Sequence, residues 1–181
     1  MGKLYSPEHC VTLLNTLITT IDWNEDSCII FGRRFEIPRL QAWYADNGIH
    51  YSYSNNLLTT QRWNELLSTI RRDVQQKTGY DFNSVLLTYY RHGNDHVTWH
   101  ADDEEELGAE PVIASLSLGA TREFQFRRKH DELQGSIYLN DGDLLLMRPG
   151  FQVHWEHCIP LEPDINQPRI NLTFRKVNPP Q

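Results

Sequence analysis

Apolar residues recur at helical spacing in two stretches of the first half of the chain. The first stretch follows Ser6-Pro7, a pair typical of a helix N-terminus, and its apolar residues stand at positions 10, 11, 13, 14, 17, 18 and 21. The second stretch lies between Thr60 and Thr78 and is followed by Gly79. Its apolar stripe consists of Trp63, Leu66, Leu67, Ile70 and Val74. The pattern predicts one amphipathic helix in each stretch.

The second half of the chain consists of short apolar or alternating runs, separated by turn residues such as Asn140-Asp141-Gly142. The runs span residues 84–90, 96–100, 112–118, 122–127, 136–139, 143–147, 153–159 and 169–177. About eight strands at this spacing are typical of a sandwich or barrel. The predicted class is therefore α+β and mainly β. We expect a double-stranded β-helix, or jelly roll, with the N-terminal helices packed on one sheet.

Composition and charge restrict the class of protein without changing this picture. The 181 residues suit one domain, and no apolar run approaches the ~20 residues of a membrane span. Three cysteines without a C-x-x-C pair favour a reducing compartment, the cytoplasm or, in a eukaryote, the nucleus. The net charge of −7 counts against a surface that attracts nucleic acid everywhere. Basic clusters such as Arg127-Arg128-Lys129 are either solvated faces or a local phosphate-binding patch.

Candidate chemistry centres on His100 and Asp102. Residues i and i+2 of a strand point to the same face, so these two side chains should project together. One imidazole and one carboxylate are two of the three ligands in the facial triad of non-haem Fe(II) oxygenases. Because H-x-D also occurs by chance in many proteins, the rest of the chain has to supply a second histidine and an anion-binding partner.

The second histidine is predicted to be His157, in the run at residues 153–159. It shares a strand face with Trp155, whereas the neighbouring Cys158 should point away. His154 stands on the opposite parity. We therefore take His157 as the third metal ligand.

The run at residues 169–175 alternates strictly. Apolar residues occupy one face, and Arg169, Asn171, Thr173 and Arg175 occupy the other. An outer strand with its polar face in water is the ordinary explanation of such alternation. The alternative places both arginines inside a barrel, where a buried guanidinium needs an anion such as the carboxylates of a dicarboxylate cosubstrate.

Residues 38–54 are rich in aromatic side chains. Tyr51 and Tyr53 share a face if the segment is extended. They either pack against the protein or form a platform that stacks a flat ligand such as a base.

Taken together, these motifs resemble those of the AlkB family of Fe(II)/2-oxoglutarate-dependent dioxygenases, which repair alkylated nucleic acid bases. The resemblance extends from about residue 6 to residue 177. Its matching pieces are Pro38-Arg39-Leu40, Trp43-Tyr44, Tyr51-Ser52-Tyr53-Ser54, His100-Ala101-Asp102-Asp103-Glu104, residues 113–120, His157 and residues 169–175. It implies a single dioxygenase domain over residues 1–181, with helices and a nucleotide-recognition segment at about 6–83, a jelly-roll core at about 84–177 and a tail at 178–181.

The resemblance also implies roles for individual residues. Fe(II) would be held by His100, Asp102 and His157, which leaves positions for 2-oxoglutarate and O2. Arg169 would pair with the far carboxylate of 2-oxoglutarate, and Tyr90 would donate a hydrogen bond to it. Arg175 would lie near the metal-bound end, and Asn171 and Thr173 would line the same pocket. Thr88 stands where the family usually has asparagine, which puts the affinity for the cosubstrate in doubt.

On the substrate side, the resemblance implies a flipped base held between an aromatic residue and a metal ligand. Tyr53, with Tyr51 beside it, and His100 would form the two walls. Glu104 would read the base edge. Arg39 and the 127–129 cluster would contact backbone phosphates.

The activity implied is oxidative demethylation of bases such as 1-methyladenine and 3-methylcytosine, with release of formaldehyde, succinate and CO2. Methylated single-stranded or double-stranded DNA is the expected partner, with RNA as a further substrate class. We expect a monomer with no membrane partner. Two alternatives remain: a 2-oxoglutarate oxygenase that acts on a protein or small molecule, and a non-catalytic nucleic acid binding module.

Overall fold

The computed structural model describes the backbone of residues 1–30, 33–49, 52–53, 56–57, 60–131 and 133–178, and the side chains of residues 1–25, 36–49, 60–131 and 133–178. The helices are α1 (Pro7–Thr20), α2 (Glu65–Thr78) and α3 (Phe151–His154), with a 3₁₀ turn at Glu105–Leu107. The strands are β1 (Gly2–Lys3), β2 (Asn24–Ile30), β3 (Arg33–Ala45), β4 (Ser52–Tyr53), β5 (Asn56–Leu57), β6 (Thr60–Arg62), β7 (Ser84–Tyr90), β8 (Val97–His100), β9 (Ile113–Gly119), β10 (Arg122–Arg128), β11 (Gln134–Leu139), β12 (Asp143–Met147), β13 (Trp155–Ile159) and β14 (Arg169–Arg175).

Two sheets carry the fold in the described part of the chain. The larger has eight strands in the order β1-β12-β9-β14-β7-β3-β2, with β6 beside β3, and the smaller has the order β11-β10-β13-β8. Strands β4 and β5 form a separate pair. All these pairings are antiparallel except that of β3 with β6. The molecule is mostly β with few helices, as predicted, and its antiparallel sheets are consistent with a jelly roll.

The eight strands expected in the second half are present as β7 to β14. The largest difference lies at the predicted 153–159 run, whose first residues belong to helix α3. There the amide of His154 bonds to the carbonyl of Gly150 over 3.1 Å, so this segment satisfies its backbone locally before β13 begins.

Helix α1 begins as predicted, because the Ser6 hydroxyl accepts a hydrogen bond from the His9 amide. The prediction that the second helix starts at residue 60 was wrong. Residues 60–62 pair in parallel with β3, and α2 begins only after Asn64, whose side chain accepts the Leu67 amide at 2.8 Å. Pairing with a sheet edge and an asparagine cap together override the apolar stripe at this end of the helix.

The larger sheet is buried on both faces. Helices α1 and α2 pack with one face in a core that includes Leu17, Ile70, Leu116, Leu172 and Phe174. A second core, on the side facing the smaller sheet, includes Leu86, Ile113, Phe124, Met147 and Ile159. None of the described helices is long and apolar enough to cross a membrane. The candidate site lies in the second layer, between the sheets.

Candidate active site

A cavity between the two sheets collects the polar residues that the sequence singled out. All the residues predicted to bind the metal or the cosubstrate line it. They are Thr88, Tyr90, His100, Asp102, His157, Arg169, Asn171, Thr173 and Arg175. Both sheets contribute, since β7 and β14 belong to the larger sheet and β8 and β13 to the smaller one. From the predicted residues alone, the cavity therefore brings together two imidazoles, a carboxylate and two guanidiniums.

The two histidines face each other across neighbouring strands. His157 on β13 is in register with His100 on β8, and their ring centroids lie 4.3 Å apart. His157 is buried, stacks on Phe124 with a centroid distance of 5.1 Å, and its Nδ1 atom has no hydrogen-bond partner within the described residues. Nδ1 of His100 lies 2.8 Å from the carbonyl oxygen of Thr98.

Asp102 lies two residues beyond His100 and is 1% exposed. Its Oδ1 atom accepts a hydrogen bond of 2.9 Å from Arg175 Nη2, and its amide donates to the side-chain oxygen of Gln152 at 3.0 Å. Burial alone would raise the pKa of this carboxyl, but the charges of Arg175 and the two histidines lower it to about 2. Asp102 is therefore ionised at neutral pH.

His157 is neutral at the same pH. Burial lowers its pKa to about 3, with His100 and Arg175 acting in the same direction and Asp102 opposing them. A neutral imidazole is the form that binds a metal ion. Among the residues that the structure describes, no three His, Cys, Asp or Glu side chains are already arranged to hold a metal ion.

Strand β14 lies in the middle of the larger sheet, between β7 and β9, so the explanation of its polar face as a water-exposed surface was wrong. Arg169 is 1% exposed and Arg175 is 2% exposed. Asn171 donates to the Ser115 hydroxyl at 2.8 Å, and Thr173 donates to the Asn171 carbonyl oxygen at 3.0 Å. The polar face of this strand points into the cavity because helices cover its apolar face.

Arg169 has spare hydrogen-bonding capacity. Its Nη2 atom donates to the Ser117 hydroxyl at 3.0 Å, whereas Nε and Nη1 have no hydrogen-bond partner in the described part of the chain. Burial lowers the pKa of this guanidinium, an effect that the neighbouring Tyr90 partly opposes. A buried cation with two unused donor atoms is suited to bind an anion.

Strand β7 supplies the wall beside β14. Tyr90 is in register with Arg169, and Thr88 with Asn171. The ring centroid of Tyr90 lies 5.1 Å from Cζ of Arg169. Thr88 is buried and lines the cavity, so its hydroxyl occupies the wall where the family usually has an amide.

Arg39, for which the resemblance implies a phosphate contact, is a buried residue, and that role stays a prediction. It is 9% exposed, its Nη1 atom donates to the His96 carbonyl at 3.0 Å, and it lines the cavity. Gln41, two residues further along β3, lines the same wall and was missed. Because Gln41 stands two residues after Arg39, the two side chains share a strand face, and this spacing could have predicted its position. Gln152, which bonds to the Asp102 amide, had no comparable signal because α3 was predicted as strand.

Glu104 and the 127–129 cluster do not line the cavity. Glu104 is partly buried at the start of the 3₁₀ turn. Tyr51 and the side chain of Tyr53 lie outside the described residues. In the 127–129 cluster, each basic side chain pairs with an acidic one: the pairs are Arg127 with Glu156, Arg128 with Asp131, and Lys129 with Asp103. These pairs partly neutralise the surface that was expected to attract phosphates.

Comparisons with known proteins bear on the family and the fold. The family model of the 2OG-Fe(II) oxygenase superfamily matches residues 1–175. The alpha-ketoglutarate-dependent dioxygenase alkB homolog 3 of Homo sapiens is 37% identical over 177 residues, which cover 92% of this chain and 61% of that protein. The DNA oxidative demethylase ALKBH2 of Mus musculus is 40% identical over 160 residues, which cover 83% of this chain and 66% of that protein.

A solved structure, that of OsALKBH1, has the same fold, with a TM-score of 0.58 at 16% identity over 94% of this chain and 90% of that one. The chain belongs to the 2OG-Fe(II) oxygenase superfamily and, within it, to the AlkB family. Fe(II), 2-oxoglutarate and O2 are the cofactors that this superfamily implies. The chain spans about three fifths of the length of the alkB homolog 3 proteins that it matches.

Proposed function

We propose that this chain removes methyl groups from ring nitrogens of nucleic acid bases by oxidation, as its similarity to the DNA oxidative demethylase ALKBH2 suggests. The observation that carries the proposal is the single cavity that contains a candidate metal triad and a candidate dicarboxylate site. We also propose that the two sheets form a double-stranded β-helix, and that the described chain acts as one domain.

The chemistry of the donor set fits Fe(II). Asp102 is ionised, and His157 is neutral with an unpartnered Nδ1 atom. These are the protonation states that a metal ligand needs, and two imidazoles with one carboxylate form the donor set of a facial triad. His100, Asp102 and His157 would hold the metal. The bound metal, with 2-oxoglutarate and O2, would supply the oxidation of the N-methyl group.

The opposite end of the cavity fits the far carboxylate of 2-oxoglutarate. Arg169 offers two unused donor atoms in a buried position, and Tyr90 stands beside it. A carboxylate bound there would neutralise a buried cation and fill its empty hydrogen-bonding positions. Thr88, Asn171 and Thr173 would line the middle of the cosubstrate, with Arg175 near its metal-bound end.

The base would enter from the side that carries His100. We propose that Tyr53, Tyr51 and Glu104 contact it, and that DNA, with RNA as a second class, is the substrate. Once the methyl group is hydroxylated, the carbon–nitrogen bond breaks to give formaldehyde and the unmodified base.

The deciding experiment measures formaldehyde release from a single-stranded oligonucleotide with one 1-methyladenine, in the presence of Fe(II), ascorbate and 2-oxoglutarate. We expect release that requires both Fe(II) and 2-oxoglutarate. Succinate formed without formaldehyde would indicate an oxygenase with a protein or small-molecule substrate. Tight binding of the methylated strand with neither product would indicate a binding module.

A further inference from the structure

An ion pair formed by a buried arginine and a partly exposed glutamate lies behind the carboxylate end of the cavity. Arg122, on β10, is 1% exposed, and its Nε atom donates to Glu162 at 2.7 Å. Its Nη2 atom donates to the carbonyl oxygens of Asp95 at 3.1 Å and Pro160 at 2.6 Å. One guanidinium thus joins the smaller sheet to the loops that follow β7 and β13.

The same guanidinium lies against the ring of Tyr90. Its Cζ atom is 5.5 Å from the ring centroid, and Cζ of Arg169 is 5.1 Å from it. Two cations therefore contact one buried aromatic ring, with an attraction that grows as water is excluded. Only Arg169 of the two lines the cavity, so Arg122 supports the ring without reaching the cosubstrate itself.

We propose that Arg122 is a positioning residue for the cosubstrate. By fixing the ring of Tyr90, it sets the place of the tyrosine hydroxyl that contacts the far carboxylate of 2-oxoglutarate. This assignment rests on the proposed function, because it takes 2-oxoglutarate as the ligand of the cavity.

The chemistry of arginine explains why this position carries a buried charge. Three acceptors from two loops converge on it, and a planar guanidinium can serve all of them while keeping one face against a ring. A lysine would keep the charge but lose this fork. A well-packed apolar residue could hold the sheets together without the desolvation cost of an ion pair, so a purely structural role does not require arginine here.

The test compares two ligands of the whole protein loaded with Mn(II), which replaces Fe(II) without turnover. 2-Oxoglutarate reaches both ends of the cavity, whereas oxalate has only a chelating end. Calorimetry gives the Kd of each ligand for wild type and Arg122→Lys. We expect the Kd of 2-oxoglutarate to rise about tenfold and that of oxalate to change by less than about twofold, as the loss of a desolvated ring contact and an oriented hydrogen bond predicts. A change in overall structure would raise the Kd values of both ligands together.

Arg71→Lys is the matched control. Arg71 also pairs with a carboxylate, that of Asp46, at 2.7 Å, and lies 4.9 Å from the ring centroid of Trp63, but it does not line the cavity. It should leave both Kd values unchanged. If Arg122→Lys does not fold, Glu162→Ala serves instead, because it removes the partner that orients Arg122. The Kd of 2-oxoglutarate should rise about threefold in this variant, and the Kd of oxalate should not change.

The outcomes separate the two proposals. If the ratio of the oxalate Kd to the 2-oxoglutarate Kd is the same in wild type and in the folded variant, the role of Arg122 is overturned. The proposed function would then stay intact. A wild-type protein that binds Mn(II) but not 2-oxoglutarate would overturn the proposed function and, with it, this assignment.

Discussion

Arg175 Nη2 donates to Asp102 Oδ1 over 2.9 Å, and the two side chains are 3% and 1% exposed. The pair joins β14, the last strand along the chain, to the segment after β8, where the H-x-D motif ends. It therefore couples the predicted metal site to the strand predicted to hold 2-oxoglutarate. A change at either residue should affect both.

Replacing Asp102 tests this coupling. Asp102→Ala should abolish formaldehyde release, since two ligands hold iron poorly. It should also lower the free energy of unfolding of the metal-free protein by about 3–5 kcal/mol, because it leaves a guanidinium buried without its carboxylate. Urea denaturation measures the second effect. Asp103→Ala, which removes a surface partner of Lys129, is the control and should cost less than about 1 kcal/mol. Full activity in Asp102→Ala would remove the triad from consideration.

The buried histidine predicts how the metal-free protein responds to acid. The pKa of His157 is about 3 in the folded protein and should be ~6.5 in the unfolded chain, so only the unfolded chain binds this proton between those values. Stability should therefore fall as the pH drops below about 6.5. His157→Gln should reduce that slope, whereas His154→Gln, at an exposed position, should keep it. Denaturation midpoints measured between pH 7 and pH 4 give both slopes. Parallel slopes in all three proteins would contradict the burial of a neutral imidazole.

Arg169→Lys tests the cosubstrate end of the cavity. A lysine keeps the charge but cannot present two parallel donors to a carboxylate, so the KM for 2-oxoglutarate should rise about tenfold or more. Titration of 2-oxoglutarate at saturating oligonucleotide measures this change. Arg71→Lys, in a partly exposed pair with Asp46 away from the cavity, is the comparison and should leave KM unchanged. If Arg169→Lys altered only the affinity for nucleic acid, β14 would have another role.

Thr88 allows a test in which the two substitutions should have opposite effects. Thr88→Asn adds an amide donor opposite Asn171 and should lower the KM for 2-oxoglutarate about threefold. Thr88→Val keeps the shape and removes the hydroxyl, so it should raise KM by a similar factor. Steady-state rates at several 2-oxoglutarate concentrations give the KM of wild type and of both variants. Equal KM values in all three proteins would show that this position does not contact the cosubstrate.

Local sequence patterns were sufficient to predict most strands and the faces they present. Period-two alternation predicted β14 and placed its four polar side chains on one face, and the same rule paired His100 with Asp102 and singled out His157. The prediction for β14 succeeded because side-chain direction along a strand follows from backbone geometry alone. His100, Asp102 and His157 line one cavity, although Asp102 lies beyond the end of β8, and their role as metal ligands stays a prediction. The family resemblance then supplied the expected roles, which local patterns do not contain.

Contacts between distant segments decided the rest. The sequence could not determine whether the polar face of β14 meets water or a cavity. That depended on helices covering its other face and on the smaller sheet closing over it. For the same reason Arg39 lies inside rather than on the surface, and Arg122 stands behind Tyr90. A buried charge is stable only where tertiary packing brings acceptors from several segments to it, and no local pattern in the sequence specifies that arrangement.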